Sequence, residues 1–190
     1  KRTRKIDLEN SGLIFSITTF DGRNESTPFV LCLGHSWISI DNKTGHTVRL
    51  KDYEIKDNET VTFSIWAISD HFGIVFNLEE EFIRQSGRYV GRQSLSVNID
   101  ESKLQTIEEY MSKNDRWDFG MNCSRFSVGL WNEVVNESQK LKTPFLLETP
   151  TKVKKAMNEF ESVQTDRDFS NAGNVFFYEN DTRTELKLCQ

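Results

Sequence analysis

The sequence predicts an α+β domain: a central antiparallel sheet packed against helices, with a cysteine opening one of them. Three observations carry this expectation. Residues 29–40 read FVLCLGHSWISI, apolar on both strand parities, which implies a central strand covered on both faces. The short turn DNKTG at 41–45 separates it from a second alternating run, as in an antiparallel hairpin. Further along, apolar residues recur at helical spacing after position 100, from Cys123 and from Pro150.

In chain order, residues 13–19 alternate as a strand, and 21–28 read as a polar turn region with Gly22 and Pro28. In the strand at 29–40, Phe29, Leu31, Leu33, His35 and Trp37 share one face, and Val30, Cys32, Ile38 and Ile40 the other. Residues 46–53, HTVRLKDY, predict a half-buried partner strand with His46 on its inward parity. Residues 60–68, TVTFSIWAI, predict another strand. The stretch 69–91 reads as a loop-rich excursion with a short helix around 79–84, and the acidic cluster Glu79 to Glu81 as a solvated face. Strand SLSVNI, 94–99, leads to a helix capped by Asp100 and running through Lys113, with Leu104, Ile107 and Met111 inward. After a break at Gly120 and Asn122, a helix begins at Cys123 with the stripe Phe126, Leu130 and Val134. A last helix spans 150–160, and VFFY at 175–178 closes the chain as a strand.

A chain of 190 residues, 36% apolar and 12% aromatic, can bury the core of one domain without staples. That domain spans 1–190, with its core at about 11–160 and residues 1–10 and 179–190 peripheral. The net charge of −5 is spread along the chain, and the run KRTRK at 1–5 has no interleaved aromatics, which argues against nucleic acid. It reads as a solvated leader, a linker scar or a juxtamembrane remnant. No apolar run approaches the ~18 residues a bilayer crossing needs. The first residues lack the apolar core of a signal peptide, and the opening Lys suggests a processed or trimmed chain.

Three cysteines, Cys32, Cys123 and Cys189, fit no zinc spacing. A Cys32–Cys189 bridge would leave Cys123 free, and three reduced thiols is the preferred alternative. The histidines His35, His46 and His71 are too scattered for a metal site, and no phosphate-binding glycine motif occurs, so neither metal nor other cofactor is expected.

A thiol acts as a nucleophile only as a thiolate, favoured by a helix N-terminus and by an adjacent imidazolium. Cys123 has the first by position, and His35 could supply the second from its buried strand. The N–H of Cys123 could stabilise an oxyanion. A further group should hold the far nitrogen of His35; His46 is the best candidate, although Ser, Thr or a backbone carbonyl could serve. An isolated buried Cys is more often an inert core residue, so the conjunction carries the argument.

The pairing of GHSWISI at 34–40 with NCSRF at 122–126 resembles the circularly permuted branch of NlpC-like, papain-fold cysteine peptidases and amidases, in which the His strand precedes the Cys helix. The lecithin retinol acyltransferase group shares this order. The resemblance covers roughly 28–135 and implies a papain-like fold with Cys123 as nucleophile and His35 as base. His46, eleven residues after His35, stands near the acyltransferases' second His, and Asn122 at the residue before the nucleophile, where a structural role in the turn is expected. It further implies acyl transfer through a thioester on a peptide or cell-wall amide, in a secreted or cell-surface bacterial setting. Two other readings stay open: transfer of the acyl group to lipid or amine, and a non-catalytic binding module.

Overall fold

The structure, a computed structural model, describes residues 4–22, 34–68, 71–118, 120–143, 148–169 and 173–187. The strands are β1 (Gly12–Phe20), β2 (His35–Lys43), β3 (Val48–Leu50), β4 (Tyr53–Ile55), β5 (Thr60–Ile68), β6 (His71–Phe76), β7 (Gln93–Ile99), β8 (Gln164–Thr165), β9 (Phe176–Glu179) and β10 (Thr182–Glu185). The helices are α1 (Leu78–Ser86), α2 (Lys103–Asn114), α3 (Cys123–Val134) and α4 (Pro150–Met157). Eight strands form one antiparallel sheet in the order β10-β9-β6-β5-β2-β1-β7-β8, and β3 and β4 form a separate hairpin. The expected α+β class and central antiparallel sheet are therefore present. None of the described helices is long and apolar enough to cross a membrane.

Strand registers divide the sheet into two chemically different faces. The first carries residues such as Phe15, Ile17, Ile38, Ile40, Phe63 and Leu95, which pack with side chains of α2, α3 and α4 into the main core. The second presents hydroxyls on four adjacent strands, among them Ser16, Thr18, Ser39, Thr62, Ser64 and Ser94, every one buried. Helix α1 lies against this second face, where Glu79 reaches His35 and Thr62. A strand with both faces buried is what β2 was expected to be, but its second face bears His35, Trp37, Ser39 and Asp41 rather than a continuous apolar row.

Several expectations are corrected. The hairpin partner of β2 is not the run at 46–53: β3 pairs only with β4, because both edges of β2 are occupied by β1 and β5. Strand β2 also continues through Lys43, and Asn42 Nδ2 donates to the carbonyls of His46 (2.6 Å) and Ile55 (2.8 Å), which ties down the turn. The excursion at 69–91 contains β6 as well as α1. Gly73, which looked like a break, sits inside β6 where a side chain would collide with Asp115 and His71. Helix α2 begins at Lys103, after Ser102 rather than directly at Asp100, and α4 ends at Met157, short of the expected Phe160. Within the segment taken for a solvated leader, two residues are docked: Ile6 is buried, and the Arg4 guanidinium donates to the Lys140 carbonyl at 3.0 Å and covers the Phe160 ring at 4.2 Å. At the other end, β10 pairs with β9 within the supposed polar tail. Residues 29–33, including Cys32, and Cys189 lie outside the described residues, as does the question of their bridge.

Helix α3 is fixed in the core by Trp131, which is fully buried, stacks on Phe15 at 5.7 Å and donates from Nε1 to the Gln139 carbonyl at 3.0 Å. Replacing Trp131 with Ala removes that packing and leaves a cavity. We expect it to cost about 3–5 kcal/mol, read as a lowered midpoint in urea unfolding; a change below about 1 kcal/mol would mean that the helix is not anchored there.

Candidate active site

Sites on this sheet depend on where two neighbouring strands part. Strand β2 pairs with β1 all the way to His35, but its ladder with β5 ends at Ile38↔Phe63. Beyond that point β5 stays paired with β6 on its other edge, and on the β2 side the Ser64 hydroxyl donates to the Ser36 carbonyl at 2.7 Å. The opening lets His35, on the second face, meet Cys123, on a helix packed against the first. Gly34 precedes it because any Cβ there would strike the Phe20 carbonyl, so β2 can start close beside β1 only with a glycine.

Cys123 is the first residue of α3 and is half-buried. Asn122 caps the helix: its side-chain oxygen accepts from Arg125 N at 3.0 Å, and its Nδ2 donates to the Glu148 carbonyl at 3.1 Å. This is the structural role in the turn expected of Asn122. The Cys123 thiol and the His35 imidazole are hydrogen-bond partners, and the Ser36 N–H and the Ser124 hydroxyl also approach the sulfur. Behind it, Ser124 Oγ and Ser36 Oγ lie 3.2 Å apart, and Ser36 Oγ lies 2.9 Å from Thr19 Oγ1.

On its other side, His35 Nε2 donates to Glu79 Oε1 at 2.9 Å. Nδ1 is thus the nitrogen left for the sulfur. Glu79 is fully buried and accepts two further bonds, from Trp66 Nε1 at 2.8 Å and from the Thr62 hydroxyl at 3.1 Å. The Trp66 ring also packs on His35 at 4.2 Å between centroids, so one side chain fixes both members of the pair. Trp37 and Tyr89 complete the aromatic surround at 5.8 and 6.0 Å.

Burial by itself depresses the imidazole pKa of His35. The adjacent Cys123 sulfur, by charge and hydrogen bond, and then Glu79 outweigh it and raise the value from 6.5 to about 9. For Cys123 the balance runs the other way. Burial raises its pKa, but His35, the Ser36 N–H and the Ser124 hydroxyl bring it below the ordinary 9.0. The two groups favour a thiolate–imidazolium pair.

Of the residues singled out in the sequence, Cys123, His35 and Asn122 meet at this site, and His46 does not. His46 lies in the turn after β2, exposed, with Nε2 2.8 Å from Glu101. Its inward parity failed because the strand it was assigned to begins only at Val48. Glu79 takes the place proposed for it, and the reading of Glu79 to Glu81 as a solvated face is corrected. Helical spacing carried a signal: Glu79 shares a stripe with Phe82 and Ile83, and the helix follows buried Asn77, whose side-chain oxygen accepts from Thr62 N at 3.2 Å. Among the described residues no group of His, Cys, Asp and Glu is arranged to hold a metal ion.

Compared with known proteins, the chain matches no family model, no curated protein and no solved structure.

Loss of the Glu79 carboxylate should weaken the imidazolium and with it the thiolate. For Glu79→Gln we expect iodoacetamide to alkylate Cys123 about tenfold more slowly near neutrality, equivalent to about one pKa unit. His46→Ala should leave the rate unchanged. Equal slowing in both variants would remove Glu79 from the site.

Proposed function

We propose that this chain is a cysteine peptidase or amidase that works through a thioester acyl-enzyme. The observation that carries the reading is the Cys123–His35–Glu79 relay, in which a helix-terminal thiol bonds to an imidazole whose far nitrogen is held by a buried carboxylate. A thiol kept only for packing would need neither partner.

The chemistry follows from the pair. The Cys123 thiolate attacks an amide carbonyl carbon, and the N–H of Cys123, at the open end of α3, donates to the resulting oxyanion. The His35 imidazolium gives its proton to the leaving amine as the C–N bond breaks, and a thioester remains. Neutral His35 then takes a proton from water, whose oxygen attacks the thioester. The C–S bond then breaks, the acid departs, and the thiolate is left beside the imidazolium that already holds the water's proton. Glu79 holds the ring orientation throughout and stabilises its charged form.

The order of His strand and Cys helix supports a papain-like fold with permuted halves, of the NlpC-like kind that the motifs at 34–40 and 122–126 resemble. On that resemblance the substrate is a peptide or cell-wall amide, and the setting is bacterial and extracytoplasmic. Transfer to an amine or lipid would use the same thioester, so the acceptor in the second step separates it from hydrolysis.

The pH range of the pair has two limits. His35 is raised above its unfolded value, so its contribution is complete below pH 6.5 and is lost as pH rises through about 9. Cys123 is lowered, so its contribution is complete above pH 9.0 and is lost as pH falls through its own depressed value. Hydrolysis, assayed on peptide amides and on soluble peptidoglycan fragments, should therefore have an alkaline limb near pH 9, while Cys123 alkylation continues above it. An alkaline limb near 6.5 would contradict the ion pair. Cys123→Ala should reduce turnover by about a thousandfold or more, and retention of activity would end the proposal.

A further inference from the structure

The second face of the sheet is unusual for a buried surface. Its floor is made of hydroxyls, and one carboxylate, Asp41, lies among them with Thr60 donating to it. Beyond α1, this face is covered around Asp41 and Trp37 by the chain's own segment 164–169, sequence QTDRDF. Strand β8 pairs with Gln93 and Ser94 at the edge of β7, after which the segment crosses the face. Arg167 is ion-paired with Asp41, and its Nη1 donates to Ser16 Oγ at 2.6 Å. Phe169 packs on Trp37, 6.2 Å between centroids and on the same side of β2 as His35. The segment is held from the side by Arg92, whose Nη2 donates to the Arg167 carbonyl at 2.7 Å, and by Asp166, which accepts from Gly91 N at 2.7 Å.

The segment pairs with Asp41 and packs on the Trp37 ring, but it leaves two polar groups of the track without a partner. Trp37 Nε1 and Ser39 Oγ are both on fully buried residues, and neither has a hydrogen-bond partner. Such groups are normally satisfied, and an unmet one costs roughly 1–3 kcal/mol. Both lie between His35 and Asp41, on a strand where those residues are about 20 Å apart at ~3.3 Å per residue. Beside the ion pair a cleft of about 210 Å³, lined by Asp41, Thr60, Ser96 and Arg167, opens to solvent.

We propose that this hydroxyl-lined track is a binding groove for an extended peptide carrying an arginine, and that residues 164–169 occupy it as a stand-in within the chain. The guanidinium lies on Asp41 with the surrounding hydroxyls, and backbone carbonyls of the peptide accept from Trp37 Nε1 and Ser39 Oγ. The far end of the peptide then approaches His35 and Cys123. That the peptide is also cleaved rests on the cysteine-peptidase reading above; its binding does not.

The test uses the full chain carrying Cys123→Ser, which stops turnover, and the fluorescently labelled peptides QTDRDF and QTDADF. With Arg167→Ala added, QTDRDF should bind at least about tenfold more tightly than QTDADF by anisotropy, the scale of a charge-assisted bond. Adding Asp41→Asn should abolish that preference. With Arg167 intact, both peptides should bind weakly, because the groove is filled. Arg167→Gln keeps a long polar side chain but leaves Asp41 without a cation, and provides the same comparison if the Ala variant does not fold. Equal affinity for the two peptides in the Arg167 variants, or a preference that survives Asp41→Asn, would overturn the groove. Arginine-dependent binding together with an unreactive Cys123 in the otherwise unaltered chain would instead sink the peptidase and leave the groove standing.

Discussion

The hydrogen bond from His35 Nε2 to Glu79 Oε1 is the interaction on which the site depends. It spans the opening where β2 and β5 cease to pair, and it joins a residue of the central strand to the first turn of α1. Without Glu79 the imidazole would lose the partner of its far nitrogen, and the donors of Trp66 and Thr62 would be left with no carboxylate between them. Burying an acid here is unfavourable in isolation, and three donors offset that cost. The same bond adds to the larger effect of the Cys123 sulfur in raising the imidazole pKa, beside a thiol that burial alone would keep neutral.

The two faces of the sheet are held together by different forces. The apolar face, closed by α2, α3 and α4, holds rings such as Phe15, Phe63 and Trp131 with no measurable exposure, and it carries the usual hydrophobic driving force. The hydroxyl face cannot contribute on that scale. Its cohesion comes from paired hydroxyls such as Ser16 with Ser96 and Thr18 with Ser94, each pair at 2.8 Å, and from the Arg167–Asp41 ion pair. Buried ion pairs of this type rarely add net stability over apolar packing. Their presence on a face that runs up to His35 therefore fits recognition better than it fits packing.

The parts of this arrangement that were legible in the sequence are those set by local pattern. GHSWISI read as a central strand because its parities are both non-polar enough to be covered, and NCSRF read as a helix start because Asn before a helical stripe is a capping residue. What was not legible depends on which strands neighbour each other. His46 and Glu79 were exchanged in role for that reason. A hairpin partner for β2 was inferred from a short turn, but β1 and β5 had already claimed both edges, and His46 was left in solvent beside Glu101. Glu79 sits in an acidic run that composition assigns to water, and only the crossing of α1 against β5 turns that side chain inward.

Placing Cys123 and His35 at a seam between strands also explains why one element cannot be altered without the other. Cys123 belongs to a helix anchored in the apolar core through Phe126 and Trp131, whereas His35 belongs to the opposite face and is fixed through α1. The two meet only because β2 begins at the opening, and it can begin there only because Gly34 has no side chain to strike the Phe20 carbonyl. A shift of β2 by one residue would exchange its faces, sending His35 into the apolar core and Ile38 onto the hydroxyls. The nine-residue ladder between β1 and β2, from Gly12↔Lys43 to Phe20↔His35, opposes that slip, and the geometry of the thiol site is to that extent a property of strand register.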